Sequence, residues 1–237
     1  YNTINKLTKI GNKMQEELLV FDPNQEVKKV RYIIHNVDQG SDEWFNIRIG
    51  RITASTIVNI CATNAGRKTM AILKATEVIT GKLPDHFSNI QTKRGNEFET
   101  KAKVKYEEVK NCIVDVIGFA ELDEYVGASP DGLVGDEGII EIKCPEAKKF
   151  LVEVISNKID KKYIYQMQMQ MWVLNRSWCD YVIYNEDFER SIHIIRVDRD
   201  EEIIKIIKDN IEIVKVMIRD NIQSYFQEIN NTNNKRV

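Results

Sequence analysis

Ala128-Ser-Pro-Asp-Gly-Leu-Val-Gly-Asp-Glu-Gly-Ile-Ile-Glu-Ile-Lys-Cys-Pro145 carries the strongest structural signal in the chain. Ser129-Pro130-Asp131-Gly132 has turn chemistry and feeds a short apolar run. Gly135 to Gly138 is a second turn, and Ile139 to Cys144 is rich in β-branched residues, so the segment predicts a β-hairpin. Strand side chains alternate between faces. Glu141 and Lys143 therefore share one face, while Ile140, Ile142 and Cys144 point the other way into apolar packing. Asp131, on the preceding strand, can then meet both charges. Two carboxylates beside an ammonium suit phosphodiester hydrolysis. Asp131 and Glu141 can hold Mg²⁺ through hard oxygen ligands, with the Ile142 carbonyl as a further ligand, and Lys143 can position or deprotonate the attacking water. The tripeptide Glu-x-Lys alone means little, since it also starts at Glu26, Glu99, Glu108 and Glu146. The β-branched strand and the neighbouring Asp131 set Glu141 apart.

The 237 residues, 43% hydrophobic and 30% charged, fit one sizeable globular domain better than two. No apolar run is long enough to span a bilayer and the start has no signal-peptide layout, so the expectation is a soluble intracellular protein without membrane association. Cys61, Cys112, Cys144 and Cys179 lie far apart, which argues against a zinc ribbon or a clustered iron–sulfur site. The net charge of −2 means that any nucleic-acid surface must be local. Lys28-Lys29-Val-Arg31, Arg48 with Arg51, Arg67-Lys68, Lys93-Arg94 and Lys148-Lys149 are the candidates, each equally readable as a solvated face.

Upstream, Ser41 followed by Asp42 and Glu43 starts a helix that Gly50 ends, and Thr53 or Ser55 caps a second short helix. Hydroxyls at a helix start beside an arginine returned by the preceding helix form either ordinary caps or an anion site. Helices are also predicted over 68–81, 91–111, 146–157 and 161–175, and a long Ile-rich one over 200–227. In 161–175 the Gln/Met alternation has a period of two, but Ile164, Met167, Met171 and Leu174 keep helical spacing. Gln166 and Gln170 then share a flank of that helix. Glu99 falls in phase with Ala102 and Tyr106, bordering the buried side, where a carboxylate needs a partner. Strands are expected over 113–122 and 125–128, with a second hairpin over 178–184 and 191–197, in which His193 shows no partner.

Pro130-Asp131, a hairpin and Glu141-Ile142-Lys143 together resemble the PD-(D/E)XK nuclease superfamily. Ser129-Pro-Asp-Gly-Leu133 with Glu141-Ile-Lys-Cys-Pro145 is similar, more narrowly, to the phage lambda-type (YqaJ-like) alkaline exonucleases. The stretch Gln39-Gly…Trp44…Arg48-x-Gly-x-Ile-Thr-Ala-Ser55 matches their signature, and the resemblance implies that Arg48 and Ser55 bind a 5′-terminal phosphate. Arg94-Gly-Asn-Glu-Phe-Glu99 matches a family stretch whose glutamate lies close to the metals. Glu121 falls near a further acidic position, an Asp in the family. Tyr163 to Trp172 matches Tyr-x-x-Gln-x-Gln-x-x-Met-Trp, which would set Gln166 near a phosphate, with Ser129 a further phosphate contact.

The resemblance implies an α/β, restriction-endonuclease-like fold with a central mixed sheet flanked by helices. Residues 1–38 are expected to form an N-terminal extension, 39–229 the nuclease domain and 230–237 a polar, frayed tail. The implied activity is Mg²⁺-dependent (Mn²⁺ substituting) 5′→3′ degradation of linear double-stranded DNA to mononucleotides. That would leave a 3′ single strand for an annealing protein, with the enzyme a ring-shaped trimer, in host cytoplasm or nucleus if viral. An endonuclease of the same superfamily would share the hairpin without needing the phosphate pocket. A dead DNA-binding module would not need the intact Asp131, Glu141 and Lys143.

Overall fold

The computed structural model describes residues 32–84 and 90–234. The expected hairpin is present: β6 (Gly132–Val134) and β7 (Gly138–Lys143) pair antiparallel, Gly132 opposite Ile140 and Leu133 opposite Ile139. The strand ends at Lys143, one residue short of the expected Cys144. β7 is the middle strand of a five-stranded sheet ordered β3-β6-β7-β8-β9, with β3 at Val114–Asp115, β8 at Trp178–Tyr184 and β9 at Ile192–Asp198. β8 runs parallel to β7 and places Tyr181 beside Glu141, while β9 returns antiparallel.

A parallel pair needs a crossover, and two helices supply it, α5 (Ala147–Ser156) and α6 (Lys161–Val173). α6 settles the competing periodicities of its sequence as a helix. Asp160 caps it by accepting the Lys162 N–H at 3.0 Å, and Tyr165 with Met167 to Val173 is buried around most of its girth. The helix lies in the interior, so an alternating polar pattern does not mark an exposed face.

The sheet is covered on both sides. Ile139, Tyr181 and Ile183 join the large core with Met167, Met169 and Met171 of α6. Ile140, Ile142, Val182 and Tyr184 form a smaller cluster with Ala102 and Tyr106 of α4 (Ile90–Lys110). Glu141 and Lys143 thus share their face with apolar Ile139, beneath a helix, and Glu141 is 1% exposed.

A second sheet, ordered β1-β4-β5-β2, packs against the first through the common core: β1 (Ile33–His35), β2 (Ile52–Thr53), β4 (Phe119–Asp123) and β5 (Val126–Ala128). The single strand expected over 113–122 is two, β3 and β4, because the chain changes sheets between them. Gly118 lies at that break, where a Cβ would strike the Val37 carbonyl. β1 pairs Ile33 with Glu121, so the sheet draws on residues N-terminal to Gln39 that the sequence reading gave to an extension. The remainder of that extension, with Lys28 to Arg31, lies outside the described residues.

The helices α1 (Asp42–Arg48), α2 (Ile57–Ala62) and α3 (Asn64–Thr80) complete the architecture with α7 (Glu201–Asn234). Gly81 ends α3 in the left-handed conformation, φ 66°, as glycine does at such caps. α7 buries Ile204, Ile207, Ile211, Val214 and Ile218 at helical spacing and packs along α3. It continues to Asn234, past the expected end at Gln227, so residues 230–234 are helical where a frayed tail was expected.

Candidate active site

Glu141 is held by three donors. Gln166 Nε2 and Lys143 Nζ both bond Oε1, the former at 2.7 Å, and Gln170 Nε2 bonds Oε2 at 2.7 Å. The parallel crossover lays α6 over β7, and the i, i+4 spacing of Gln166 and Gln170 aims both amides at one carboxylate. A carboxylate has about four lone-pair positions. Three are filled, which leaves one on Oε2.

Asp131 enters from the start of β6. Its N–H donates to the Ile140 carbonyl at 3.2 Å, and its Oδ2 accepts the Ile142 N–H at 2.6 Å. Burial, then the neighbouring Glu141 charge, pushes the Asp131 carboxyl well above the usual range, while Lys143 and the Ile142 N–H pull it back. The Glu99 carboxyl is raised by burial and by Glu141 against the pull of Lys103 and Lys143; Lys103 Nζ stands 3.7 Å from it. Burial works against the Lys143 ammonium, but Glu141 and Asp131 outweigh it and hold that group above the usual lysine range. Held on Glu141 Oε1, Lys143 is placed for either of the two roles expected for it, positioning or deprotonating a water on a bound cation.

Among the described residues no three carboxylate, histidine or cysteine side chains are already gathered around one ion position. The donor set is Asp131, Glu141 and the Ile142 carbonyl, with Glu99 in electrostatic reach. These oxygens fit a hard divalent cation. Burial is the main cause that raises both carboxyls, which disfavours their bare charge, and Glu141 retains a free lone pair for a cation. A cation bound there supplies Lewis acidity and an acidified water. Glu121 does not join the group: His35 Nε2 and Arg51 hold it at 2.9 Å each, on the other sheet.

A second part of the site forms around Arg48, in the last turn of α1. Ser41 caps that helix by accepting the Trp44 N–H at 3.2 Å, and Gly50, φ 76°, turns the chain out of it. Glu77, 1% exposed on α3, anchors the turn by accepting the Gly50 N–H at 2.9 Å while Lys74 bonds both Glu77 oxygens. The Arg48 guanidinium lies over the Trp44 ring at 4.0 Å and reaches the Ser129 and Thr53 hydroxyls only at 3.5 Å. No carboxylate pairs with it among the described residues. Burial lowers its pKa to about 10, opposed by the Glu77 charge. A desolvated guanidinium with weak partners can receive an anion.

The hydroxyls expected around it divide. Ser129 Oγ donates to the Gly118 carbonyl at 2.7 Å and accepts from Trp44 Nε1 at 3.0 Å as well as from Arg48, so it aligns Arg48 and is fully engaged within the protein. Thr53, at the start of the 3₁₀ turn Ala54–Thr56, makes no side-chain cap bond and is buried, while Ser55 lies within the turn and is exposed.

Asp131, Glu141, Lys143, Ile142, Glu99 and Gln166 are thus brought together, Arg48 and Ser129 adjoin them, and Glu121 does not. Gln170 went unselected in the sequence although it lies four residues from Gln166 on the same flank. Its Nε2 also approaches the Ser129 carbonyl at 3.5 Å, which ties the two halves of the site together. Trp44 and the Lys74–Glu77 pair were not selected either, because an apolar face and an i, i+3 ion pair look like ordinary helix chemistry in sequence. His193 does have a partner, Asn157 Oδ1 at 2.8 Å.

Residues 43–177 match the model of the YqaJ-like viral recombinase domain. Among solved structures, the chain is similar to an alkaline exonuclease (LHK-Exo) from Laribacter hongkongensis, with 30% identity and a TM-score of 0.76 over 81% of this chain and 100% of that one. The same enzyme in complex with dAMP matches at 31% identity, TM-score 0.76 and the same coverage. A phage related exonuclease from Haemophilus somnus 129PT shares the fold, at 19% identity and TM-score 0.60 over 76% of this chain and 96% of that one. No curated protein matches the chain.

Proposed function

The chain belongs to the YqaJ-like viral recombinase domain family, and from that premise we propose that it degrades linear double-stranded DNA 5′→3′, with Mg²⁺, to mononucleotides. A 3′ single strand remains for recombination, to be bound by an annealing protein, and the working form is a homotrimer. That the chain is a DNA-hydrolysing nuclease follows from the family and its exonuclease neighbours. No helix among the described residues is long and apolar enough to cross a membrane.

The observation that carries the proposal is Gln170, whose amide bonds Glu141 on one side and approaches the carbonyl of Ser129, the residue that aligns Arg48, on the other. An anion receptor beside the hydrolytic carboxylates suits a strand end whose terminal phosphate sits at Arg48, with Ser55 at the exposed rim. The next phosphodiester then meets Asp131 and Glu141. Asp131, Glu141 and the Ile142 carbonyl hold the metal, and Glu99 adds negative charge beside them. Lys143 holds the Glu141 carboxylate, orients the attacking water and, as an ammonium, offsets charge building on the phosphoryl oxygens. Gln166 and Gln170 fix Glu141 so that it need not reorganise during reaction.

Time-resolved digestion of linear duplexes with 5′-phosphate or 5′-hydroxyl ends, beside a circular duplex and with Glu141→Gln as control, tests this. Mononucleotides should appear at once, faster from phosphorylated ends, and the circle should survive. Cleavage of the circle at the linear rate overturns the exonuclease reading in favour of an endonuclease. DNA binding without cleavage in Mg²⁺ or Mn²⁺ would overturn hydrolysis itself.

A further inference from the structure

Beyond Lys143, α6 begins with charge that the hydrolytic site does not use. Three ammonium groups gather over the Tyr163 ring: Lys162 Nζ at 4.7 Å from its centroid, Lys143 at 5.3 Å and Lys149, from α5, at 5.8 Å. Lys161, 5.3 Å from the Tyr165 ring, is not part of that group. Like charges do not cluster without compensation, and the ring face supplies part of it. Glu141 compensates Lys143, but for Lys149 and Lys162 the carboxylates supply little more. Lys149 stands 3.6 Å from Glu153 and Lys162 3.8 Å from Asp160, both beyond hydrogen-bond length, and about half of each lysine side chain is exposed. Such pairs are weak and exchange readily for a better anion.

The position of this cluster gives it meaning. Tyr163, Gln166 and Gln170 are spaced i, i+3, i+7 and form one stripe along α6. Gln170 approaches the Ser129 carbonyl at the Arg48 end, Gln166 and Gln170 grip Glu141 in the middle, and Tyr163 lies under Lys143 at the far end. Seven residues of helix rise about 10 Å, against about 7 Å of axial rise from the first to the third of three consecutive phosphates along one strand of B-form duplex.

We propose that Lys149 and Lys162, gathered over Tyr163, bind the backbone phosphate immediately downstream of the scissile bond. The stripe on α6 then sets out three consecutive phosphates: terminal at Arg48, scissile at Glu141 and the next at the lysines. This deepens the exonuclease reading and rests on it for the identity of the first two positions. The contact is to phosphate, so it adds affinity and register without sequence preference.

Binding of a 5′-phosphorylated duplex, measured by fluorescence anisotropy in Ca²⁺ over a range of salt concentrations, tests the proposal. The double variant Lys149→Gln/Lys162→Gln should bind at least about tenfold more weakly, and the slope of log affinity against log salt should fall by about two. A neutral methylphosphonate in place of the downstream phosphate should weaken the wild-type protein and leave the double variant unchanged. Lys149→Arg/Lys162→Arg should restore both affinity and slope. An unchanged slope, or a methylphosphonate that weakens the double variant as much as the wild type, overturns it. Equal binding of a 5′-hydroxyl duplex by the wild-type protein would sink the exonuclease reading and leave the lysine result standing.

Discussion

Gln170 and Glu141, 29 residues apart in the chain, meet through a 2.7 Å hydrogen bond with neither residue more than 1% exposed. Gln170→Leu removes the donor at Oε2 and leaves a buried carboxylate oxygen without its partner. The expected cost is about 1–3 kcal/mol in a urea titration, with a fall in nuclease activity. Gln166 is partly exposed and shares its acceptor with Lys143, so Gln166→Leu should leave the urea midpoint nearly unchanged while activity still drops.

Glu141→Gln keeps the volume of the side chain and removes its charge. Release of acid-soluble nucleotides from linear duplex should fall by about 10²–10⁴-fold, as it does when a positioned ionisable group is lost. Lys143→Met should reduce the rate by a similar factor at every pH tested. A base role for Lys143 would instead confine the deficit to alkaline pH.

Asp131 keeps its proton in the folded protein to a higher pH than in the unfolded chain. The stability this group contributes is complete below the unfolded carboxylate pKa of about 3.9, and it is lost as pH rises through the raised folded value. The metal-free protein should therefore lose Tm across that window relative to Asp131→Asn. Mg²⁺ displaces the same proton, so its stabilising effect should grow with pH. A difference between wild type and Asp131→Asn that does not change with pH would contradict this.

Arg48→Lys keeps the charge but loses the planar group over Trp44 and the fork directed at the two hydroxyls. The ratio of initial rates on 5′-phosphate and 5′-hydroxyl ends should collapse towards one, while Ser55→Ala should lower it by a smaller factor.

Glu77→Ala leaves the Lys74 ammonium buried without its carboxylate and the Gly50 N–H without an acceptor. A loss of about 3–5 kcal/mol is expected by denaturant titration. Lys74→Met retains the Glu77–Gly50 bond and should cost clearly less.

The hairpin was readable because a turn, β-branched residues and an alternating charge pair agree over the few residues from Gly132 to Lys143. The helices were readable because their apolar spacing spans three or more turns. β1 was hidden, since Ile33–His35 is too short to show a pattern and becomes a strand only by pairing with β4 across more than 80 residues. The same limit applied to Glu121, whose partners His35 and Arg51 come from separate segments, and to Gln170, whose role needs the crossover to bring α6 over β7. Local pattern located the charged residues; only the pairing of distant strands determined which of them meet.

β7 has a hydrogen-bonded neighbour along both edges, β6 and β8, and packed side chains above and below. The amides of Glu141 and its neighbours should therefore be among the slowest in the protein to exchange with deuterium, opening only when the whole sheet comes apart. On that ground no partly unravelled form should keep the fold while losing Glu141 from its place. Thermal inactivation and global melting should follow a single curve.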